Sequence, residues 1–401
     1  MVRVRIESSQ LIYLDNNATT QPAEEVIEAV EKALRENWGN PSSVHDFGRS
    51  ARHTVEEARE EVALLVGCSA REIVFTSGGT ESCNLALRGS LGGRDNRTVI
   101  ATARTEHSAV RECAQACADA THSELVWLPS AGGSVDVGAC EQLLKSRADE
   151  IALVSVMWAN NETGVIAPIA QLASLCRQYG VRFHTDATQW VGRMPTDLAT
   201  VEVDLLTLSA HKFHGVKGAG ALYCRRGTAT RPVLVGGGQE RGMRGGTEDV
   251  PGIAALGVAA RLAREWLTHT SHEQSTLTQL RDHFEKLITA AFPAAHVVGC
   301  EMPRLWSTSN IAFAHLQAEA IVVALSSAGV CASAGAACST GSLEPSPVLV
   351  AMGVSRELAH GAVRFSLSRN TTRHEIESAA RIVLDVVGRL SQSMPKTTVR
   401  F

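Results

Sequence analysis

The sequence predicts an α/β protein built on a mostly parallel sheet. Short runs of apolar and β-branched residues, typical of buried strands, lie at 72–76, 98–101, 151–157, 181–185 and 203–208. Helical patterns lie between these runs. At 51–66, for example, Val55, Ala58, Val62 and Leu65 recur at the spacing of one helix face. Because strands and helices alternate, we expect helices on both faces of the sheet and ligands at the carboxyl ends of its strands.

After about residue 255 the pattern changes to longer helices around a few strands. Helical patterns cover 252–268, 274–291, 317–327 and 374–390, and two strand candidates cover 309–314 and 362–368. Helices around non-adjacent strands are typical of an α+β arrangement. We therefore expect a large domain of residues 16–255 and a small domain of residues 1–15 and 256–401.

Composition argues against several classes of protein. The 401 residues include 38 Lys and Arg against 42 Asp and Glu, and the net charge of −4 lacks the basic excess of nucleic-acid-binding proteins. An apolar fraction of 44% argues against disorder. No apolar run approaches the length of a membrane span. We expect neither a direct nucleic-acid partner nor a membrane segment.

Ten cysteines are spread along the chain without a CxxC pair. This spacing argues against a zinc ribbon or a dithiol redox motif, and we expect no bound metal. The first residues lack the apolar core of a signal peptide. We therefore expect a cytoplasmic protein whose thiols are reduced and mostly buried as small apolar side chains.

Three polar motifs directly follow predicted strands. Ser77-Gly78-Gly79-Thr80 opens a helix, whose free N–H groups and dipole favour a bound phosphate. Asp186 follows the strand candidate at 181–185, and Lys212 lies shortly after the strand candidate at 203–208. The structural alternatives are an ordinary strand-to-helix turn for the glycine pair and a helix N-cap for Asp186. Together, however, a phosphate turn, a carboxylate for the ring nitrogen and a Schiff-base lysine are what pyridoxal phosphate requires.

Longer motifs extend this pattern along nearly the whole chain. They are Tyr-Leu-Asp-Asn-Asn-Ala-Thr-Thr (13–20), Gly-Asn-Pro-Ser-Ser (39–43), Thr-Glu-His (105–107), Asn-Asn-Glu-Thr-Gly (160–164), Thr-Asp-Ala-Thr-Gln (185–189), Ser-Ala-His-Lys (209–212) and Gly-Gly-Gly-Gln-Glu-Arg-Gly-Met-Arg-Gly-Gly-Thr (236–247). These segments resemble the cysteine desulfurases of the class V branch of pyridoxal-phosphate aminotransferases. The resemblance implies the type I aminotransferase fold, with a mostly parallel seven-stranded sheet in the large domain, and bound pyridoxal 5'-phosphate.

The resemblance also implies a role for each residue around the cofactor ring. Lys212 matches the Schiff-base lysine, and Asp186 matches the partner of the ring nitrogen. Gln189 matches the residue hydrogen-bonded to the ring oxygen. His107 matches a histidine that stacks on the ring and moves a proton, and Asn161 matches a group near both cofactor and substrate.

The phosphate site implied by the resemblance draws on two subunits. Gly79, Thr80, Ser209 and His211 match the residues that bind the phosphate within one chain. Thr247 matches a residue that reaches the phosphate of a partner subunit. A homodimer would therefore be needed to complete each site.

Arg364 and Cys338 match the groups that act on the substrate. Arg364 would bind the substrate carboxylate, for which a guanidinium is geometrically suited, although a surface ion pair is the alternative. Cys338 matches the nucleophile, in a loop at about 331–343 that is rich in Ala, Ser and Gly. Such a loop buries little, and we expect it to move during sulfur transfer. Cys331 is expected to be structural, and Cys83 replaces the family's usual Asn or Asp.

The implied reaction converts L-cysteine to L-alanine and leaves the sulfur on Cys338 as a persulfide. The loop resembles the long-loop group, and the sulfur would serve iron–sulfur cluster assembly or another transfer pathway. The expected acceptor is a scaffold protein or a tRNA-thiolation enzyme. The nearest alternative is selenocysteine lyase, which shares fold, cofactor and active-site cysteine and would release selenide. More distant alternatives are a class V decarboxylase or aminotransferase, and a sulfur-relay protein without catalysis.

Overall fold

A computed structural model describes most of the chain. The described residues are 11–91, 97–121, 123–269, 271–335 and 344–393. Cys338, the predicted nucleophile, lies outside them. The described chain divides into two compact units. The larger unit contains residues 19–160 and 166–271, and the smaller unit contains 11–18, 161–165 and the described residues from 272 onward.

The helices follow the apolar periodicity of the sequence. In chain order they are α1 Glu24–Glu36, α2 Asp46–Val66, α3 Gly79–Ser90, α4 Ser108–Thr121, α5 Val137–Arg147, α6 Ile169–Gln178, α7 Val250–His269, α8 Ser271–Ala291, α9 Ala318–Ser327, α10 Pro347–Ala351, α11 Arg356–His360 and α12 Arg373–Ser393. Local signals set several ends. Asp136 caps α5 by accepting a hydrogen bond from the Ala139 N–H, and α2 ends where Gly67 takes a φ of 70°.

Several strands are buried along their whole length, among them those at 73–76, 99–103, 151–155, 183–186 and 205–209. In chain order they are β1 Ile12–Tyr13, β2 Ile73–Thr76, β3 Val99–Ala103, β4 Glu124–Leu128, β5 Ser130–Ala131, β6 Ser134–Val135, β7 Ile151–Ser155, β8 Phe183–Asp186, β9 Leu205–Ser209, β10 Gly220–Cys224, β11 Ala295–Val297, β12 Thr308–Phe313, β13 Val330–Cys331, β14 Ser333–Ala334 and β15 Ala362–Ser366. All five strands predicted in the first part of the sequence are present.

The larger unit contains a seven-stranded sheet in the order β2-β10-β9-β8-β7-β3-β4. Neighbouring strands are parallel except at β10, which is antiparallel to both β2 and β9. The prediction of a mostly parallel seven-stranded sheet is therefore confirmed. Because β10 is antiparallel to both of its neighbours, β2 and β9 run in the same direction. Their carboxyl ends therefore lie at the same edge of the sheet.

Helices cover both faces of this sheet. Phe75 and Leu206 belong to a core cluster with apolar residues of α2, α6 and α7, whereas the adjacent Val74 and Leu205 belong to a second cluster with residues of α3 and α4. Adjacent residues of a strand point to opposite faces. The sheet therefore separates two helical layers, as the alternation of strands and helices predicted.

The boundary between the units differs from the predicted one at residue 255. Helix α7 runs from Val250 to His269 and packs against α1 and α2. At Gly257 the backbones of α7 and α2 approach so closely that a Cβ would lie 2.6 Å from the Cα of Ala58. This packing keeps α7 in the larger unit, which continues to residue 271, while 161–165 belongs to the smaller unit.

The smaller unit is α+β, as predicted. Its main sheet has the order β11-β12-β15-β14 and is antiparallel throughout. Strand β1 pairs in parallel with β13, so the N-terminal segment belongs to this unit. Among the described helices of the chain, none combines the length and the apolar character needed to cross a membrane.

Candidate cofactor and substrate sites

The glycine turn of the larger unit leads from β2 into α3. Gly78 has a φ of 145°, a conformation that favours glycine. A Cβ at Gly79 would lie 3.1 Å from Thr188 Oγ1, and a Cβ at Gly78 would lie 3.8 Å from Ser209 Oγ. Two hydroxyl groups therefore face the start of α3, where the first N–H groups have no partner within the helix. Space, donors and the helix dipole at this turn fit an anion.

Thr188 adds an observation that sequence motifs did not assign. Its Oγ1 is buried and has no hydrogen-bond partner among the described residues. Leaving a buried hydroxyl unbonded costs free energy, so such an atom points to a ligand or water. Thr188 lies inside the Thr-Asp-Ala-Thr-Gln motif, but only the structure reveals that its hydroxyl faces Gly79. The turn and this hydroxyl together fit the phosphate group of pyridoxal phosphate.

Asp186 is the last residue of β8 and is 5% exposed. Its Oδ1 accepts a hydrogen bond from the Thr188 N–H at 3.0 Å. The residues that follow form turns, so Asp186 is not a helix N-cap. Two residues earlier, His184 bonds Ser155 Oγ at 2.8 Å and Thr207 Oγ1 at 3.0 Å through its two ring nitrogens. Burial lowers the pKa of His184 to about 4, so this imidazole is neutral at physiological pH.

Lys212 ends a short 3₁₀ helix, Ala210–Lys212, that follows β9 directly. The residue is half-buried, and its carbonyl accepts hydrogen bonds from Arg193 Nε and Nη2 at 3.3 and 3.2 Å. His211 bonds Thr19 Oγ1 through Nδ1 at 3.2 Å. Burial, assisted by nearby cations including that of Lys212, lowers the pKa of His211 to about 4. The strand end therefore presents a neutral histidine beside the lysine.

His107 directly precedes α4 and is half-buried. Its Nδ1 accepts a hydrogen bond from the Ala109 N–H at 3.1 Å, so the neutral ring carries its proton on Nε2. The preceding residue, Glu106, is fully buried and accepts from the Met157 N–H at 2.6 Å. Burial raises the pKa of Glu106 well above its usual range. These contacts fix the 105–107 turn at the end of β3, which is separated from β8, the strand of Asp186, by β7 alone.

The remaining predicted residues of the larger unit differ in burial. Gln189 is buried, and the neighbouring Trp190 stacks on Trp158 with ring centroids 4.6 Å apart. Thr80 and Thr247 are exposed. The structure therefore places Gly79 and Ser209 together around the glycine turn and Asp186 and Lys212 at neighbouring strand ends, and leaves Thr247 on the surface of this chain.

Arg364 and Asn161 come together in the smaller unit. Arg364 lies in β15, is 3% exposed, and donates from Nη1 to the Asn161 carbonyl at 3.1 Å. Its Nη2 bonds Asp15 Oδ1 at 2.8 Å. Its Nε is buried and has no partner among the described residues. Arg364 is thus in an ion pair, as the alternative expected, but the arginine itself is buried and Asp15 is only partly exposed. The partner Asp15, from the Tyr-Leu-Asp-Asn-Asn motif, was not identified from the sequence.

Two other cysteines of interest have structural surroundings. Cys83 is fully buried with its Sγ 3.7 Å from Thr207 Oγ1, and burial raises its pKa well above the usual range. Cys331 is half-buried in β13, and burial raises its pKa too. A raised pKa disfavours the thiolate, so neither side chain is suited to act as a nucleophile.

Comparisons with known proteins agree with this geometry. The family model described as aminotransferase class-V matches residues 12–378. The chain is 44% identical over 385 residues to cysteine desulfurase 2 of Trichormus variabilis, covering 96% of this chain and 95% of the relative. It is 43% identical over 385 residues to the cysteine desulfurase NifS of Azotobacter vinelandii, covering 96% and 94%.

A solved structure of a NifS-like protein extends the agreement to the fold. It superposes with a TM-score of 0.85 at 34% identity and covers 94% of this chain and all of its own. The strand-end motifs, the seven-stranded sheet and these matches lead to one conclusion. The chain belongs to the aminotransferase class-V family.

Proposed function

We propose that the protein is a pyridoxal-phosphate-dependent cysteine desulfurase. It converts L-cysteine to L-alanine and transfers the sulfur to Cys338 as a persulfide. The observation that carries the proposal is the shared sheet edge, where a glycine turn with an unbonded hydroxyl, a buried carboxylate and a lysine follow strands of one orientation. The names of relatives that are 43–44% identical over nearly the whole chain support the same activity.

The residues of the larger unit fit the parts of the cofactor. The glycine turn with Gly79, Thr80, Ser209 and His211 would hold the phosphate, and Thr188 is our addition to that set. Asp186 would contact the ring nitrogen, Gln189 the ring oxygen and Lys212 the aldehyde carbon. When bound, the cofactor acts as an electron sink that acidifies the substrate Cα–H.

His107 would lie against the ring with its Nε2–H as a hydrogen-bond donor, because its Nδ1 accepts the Ala109 N–H. To move a proton, as the resemblance implies, the ring would take the proton up at Nδ1, with loss of that hydrogen bond, and release one from Nε2. A fixed tautomer is typical of histidines that move protons, because the hydrogen bond on one nitrogen determines the state of the other. Lys212 Nζ is the proposed group that releases the cofactor to the substrate.

In the smaller unit, Arg364 and Asn161 would bind the substrate. A carboxylate bound to Arg364 would accept from the buried Nε that lacks a partner among the described residues. The Cys338 thiolate would then attack the substrate Sγ. An S–S bond forms, the substrate Cβ–Sγ bond breaks, and its electron pair stays on Cβ, which takes up a proton to give alanine.

A homodimer is part of the proposal. Trp38, Phe47, Val233, Leu234 and Val235 are large apolar side chains exposed on the larger unit. Trp38 and Phe47 lie together, with ring centroids 5.0 Å apart, and 233–235 are consecutive, and exposed apolar patches are typical of interaction surfaces. The exposed Thr247 would reach the phosphate site of the second copy. A scaffold protein or a tRNA-thiolation enzyme would accept the sulfur, and the reaction is proposed to occur in the cytoplasm, where thiols stay reduced.

The test is mass spectrometry of the purified holoenzyme after incubation with L-cysteine. We expect alanine in solution and one added sulfur atom on Cys338. The variant Cys338→Ser should release no sulfide yet keep the visible absorbance of the cofactor, whereas Cys300→Ser, at an exposed cysteine, should behave as wild type. Undiminished turnover by Cys338→Ser would contradict the assigned nucleophile. Release of selenide from L-selenocysteine, with none of sulfide from L-cysteine, would favour the lyase.

A further inference from the structure

Glu162 is a buried carboxylate to which no role has yet been assigned. It follows Asn161 in the Asn-Asn-Glu-Thr-Gly motif and is 5% exposed. Its Oε2 accepts a hydrogen bond from Ser346 Oγ at 2.6 Å. This distance is typical of a hydroxyl that donates to an ionised carboxylate. Because burying a carboxylate is costly, its position inside the smaller unit requires an explanation.

Ser346 lies after the segment that contains Cys338. It is 3% exposed and caps α10, where its Oγ accepts from the Leu349 N–H at 3.3 Å. The hydroxyl therefore donates to Glu162 and accepts from α10 at the same time. These two bonds fix the start of α10, which follows the Cys338 segment in the sequence.

Gly335 lies before the same segment, directly after β14. A Cβ at Gly335 would lie 2.7 Å from Glu162 Oε2, which is closer than a carbon and an oxygen can approach without displacement. The backbone before it is fixed, since Ser333 and Ala334 pair with Arg364 and Val363 of β15. The absence of a side chain at 335 therefore lets the chain pass directly against the carboxylate.

The backbone around Glu162 is also held in place. The Glu162 carbonyl accepts from Asn310 Nδ2 at 3.2 Å, and the Gly164 carbonyl accepts from the Leu305 N–H at 2.9 Å. Asn310 lies opposite Arg364 in the sheet. The Glu162 backbone is thus hydrogen-bonded to β12, the strand that pairs with β15, on which the proposed substrate arginine lies.

We propose that Glu162 is a positioning residue for sulfur transfer. Its Oε2 accepts from Ser346 and occupies the space that a side chain at 335 would need, and these two described residues lie on either side of Cys338 in the sequence. The inference rests on the proposed function, because it matters for catalysis only if Cys338 accepts the sulfur. A purely structural role would instead predict that changes at 335 and 346 act on stability alone.

The test compares Gly335→Ala, Ser346→Ala, Glu162→Ala and the double variant Gly335→Ala/Glu162→Ala. We expect Gly335→Ala to slow persulfide formation on Cys338 in a single turnover by about tenfold to a hundredfold, the usual effect of a small misplacement. Cofactor absorbance and the affinity for L-cysteine should stay within about twofold of wild type, because the residues assigned to them are unchanged. The double variant should be faster than Gly335→Ala alone, because the clash is removed.

A second readout does not require turnover. The rate at which iodoacetamide alkylates Cys338 in the cofactor-free protein should change in Gly335→Ala, Ser346→Ala and Glu162→Ala. The matched control is Gly388→Ala on α12 of the same unit, where a Cβ meets no atom within 4 Å, and it should match wild type in every measurement. If Ser346→Ala unfolds the protein, Glu162→Gln, which keeps the shape and removes the charge, replaces it.

Three results would overturn the inference. They are wild-type persulfide formation in Gly335→Ala, additive losses in the double variant, and equal loss of cofactor absorbance in all variants, which would indicate a general fold defect. Failure of the proposed function has a different signature. In that case the wild-type protein itself would place no sulfur on Cys338, whatever happens in the variants.

Discussion

Arg59 of the larger unit and Arg364 of the smaller unit are equally buried, at 2% and 3% exposure, but differ in their hydrogen bonds. Arg59 uses all three guanidinium nitrogens. Its Nη1 and Nη2 each bond Glu240 at 2.8 Å, and its Nε bonds Glu56 Oε2 at 3.1 Å. Arg364 bonds Asp15 and the Asn161 carbonyl, while its Nε has no partner among the described residues.

The surroundings of Arg59 explain why all three of its guanidinium nitrogens are hydrogen-bonded. Strand β2 is at the edge of the seven-stranded sheet, where backbone groups would otherwise lack partners. Arg59 Nη1 donates to the Ile73 carbonyl at 2.9 Å, and Glu240 Oε2 accepts from the Phe75 N–H at 2.9 Å. The ion pair thus completes the edge of the strand that leads into the glycine turn. It also holds Glu240 in a left-handed conformation, with a φ of 46°.

The difference distinguishes a structural arginine from the proposed binding one. Burial and an ion pair are common to both side chains, so neither property identifies a substrate site. A donor without a partner among the described residues is the further observation at Arg364, because a buried N–H that the protein leaves unbonded is typically bonded by a water or a ligand. On this reading Arg59 stabilises the fold, and Arg364 is available to a carboxylate.

The largest effect is expected from Arg59→Ala. The substitution leaves Glu240 as a buried carboxylate without its partner, which typically costs about 3–5 kcal/mol. Urea unfolding should show this loss in the free energy of unfolding. The control is Arg49→Ala on the same helix, whose ion pair with Asp46 is exposed and should contribute less than about 1 kcal/mol. Equal free energies of unfolding in the two variants would mean that the fully hydrogen-bonded Arg59 contributes no more to stability than an exposed arginine.

Arg364→Lys should affect activity more than stability. Lysine keeps the charge but loses the planar fork, and we expect kcat/KM for L-cysteine to fall about a hundredfold, equivalent to about 2.7 kcal/mol. The control is Arg304→Lys in the same unit, because Arg304 is fully engaged with Glu285 at 2.7 and 2.9 Å. Unchanged kcat/KM in Arg364→Lys would make its pair with Asp15 structural, like that of Arg59.

The fold was predictable wherever a local pattern decided it. The buried strands and the long helices follow from periodicity, and the residues after strand ends follow from topology. Strand β10, Gly220–Cys224, was not identified, because it depends on pairing with β2 and β9 on either side and not on its own composition. The position of α7 in the larger unit was missed for a similar reason, since a helical pattern does not reveal its packing partner.

The same limit applies to the candidate sites. The family resemblance predicted roles for Arg364 and Asp186, but not the contact between Asp15 and Arg364, which joins residues far apart in the chain. The contact between Glu162 and Ser346 likewise leaves no local signal in the sequence. Which donors remain unbonded depends on every neighbour in space. The comparison between Arg59 and Arg364 could therefore be made only in three dimensions.

Thr188→Val tests whether a buried hydroxyl without a hydrogen-bond partner marks a ligand contact, and its expected effect is the smallest of the three. Because Thr188 Oγ1 has no partner among the described residues, its loss should leave the unfolding free energy of the cofactor-free protein unchanged or slightly higher. Affinity for pyridoxal phosphate, titrated by absorbance, should fall about fivefold to tenfold through one lost hydrogen bond.

Thr207→Val provides the opposite case, because its hydroxyl already bonds His184 Nε2 at 3.0 Å. That variant should lower the unfolding free energy of the cofactor-free protein by about 1 kcal/mol and leave the cofactor affinity nearly unchanged. Unaltered cofactor affinity in Thr188→Val would mean that an unbonded buried hydroxyl does not identify a ligand contact here. The unbonded Nε of Arg364 would then no longer indicate a ligand contact either, since both atoms are interpreted by the same physical reason.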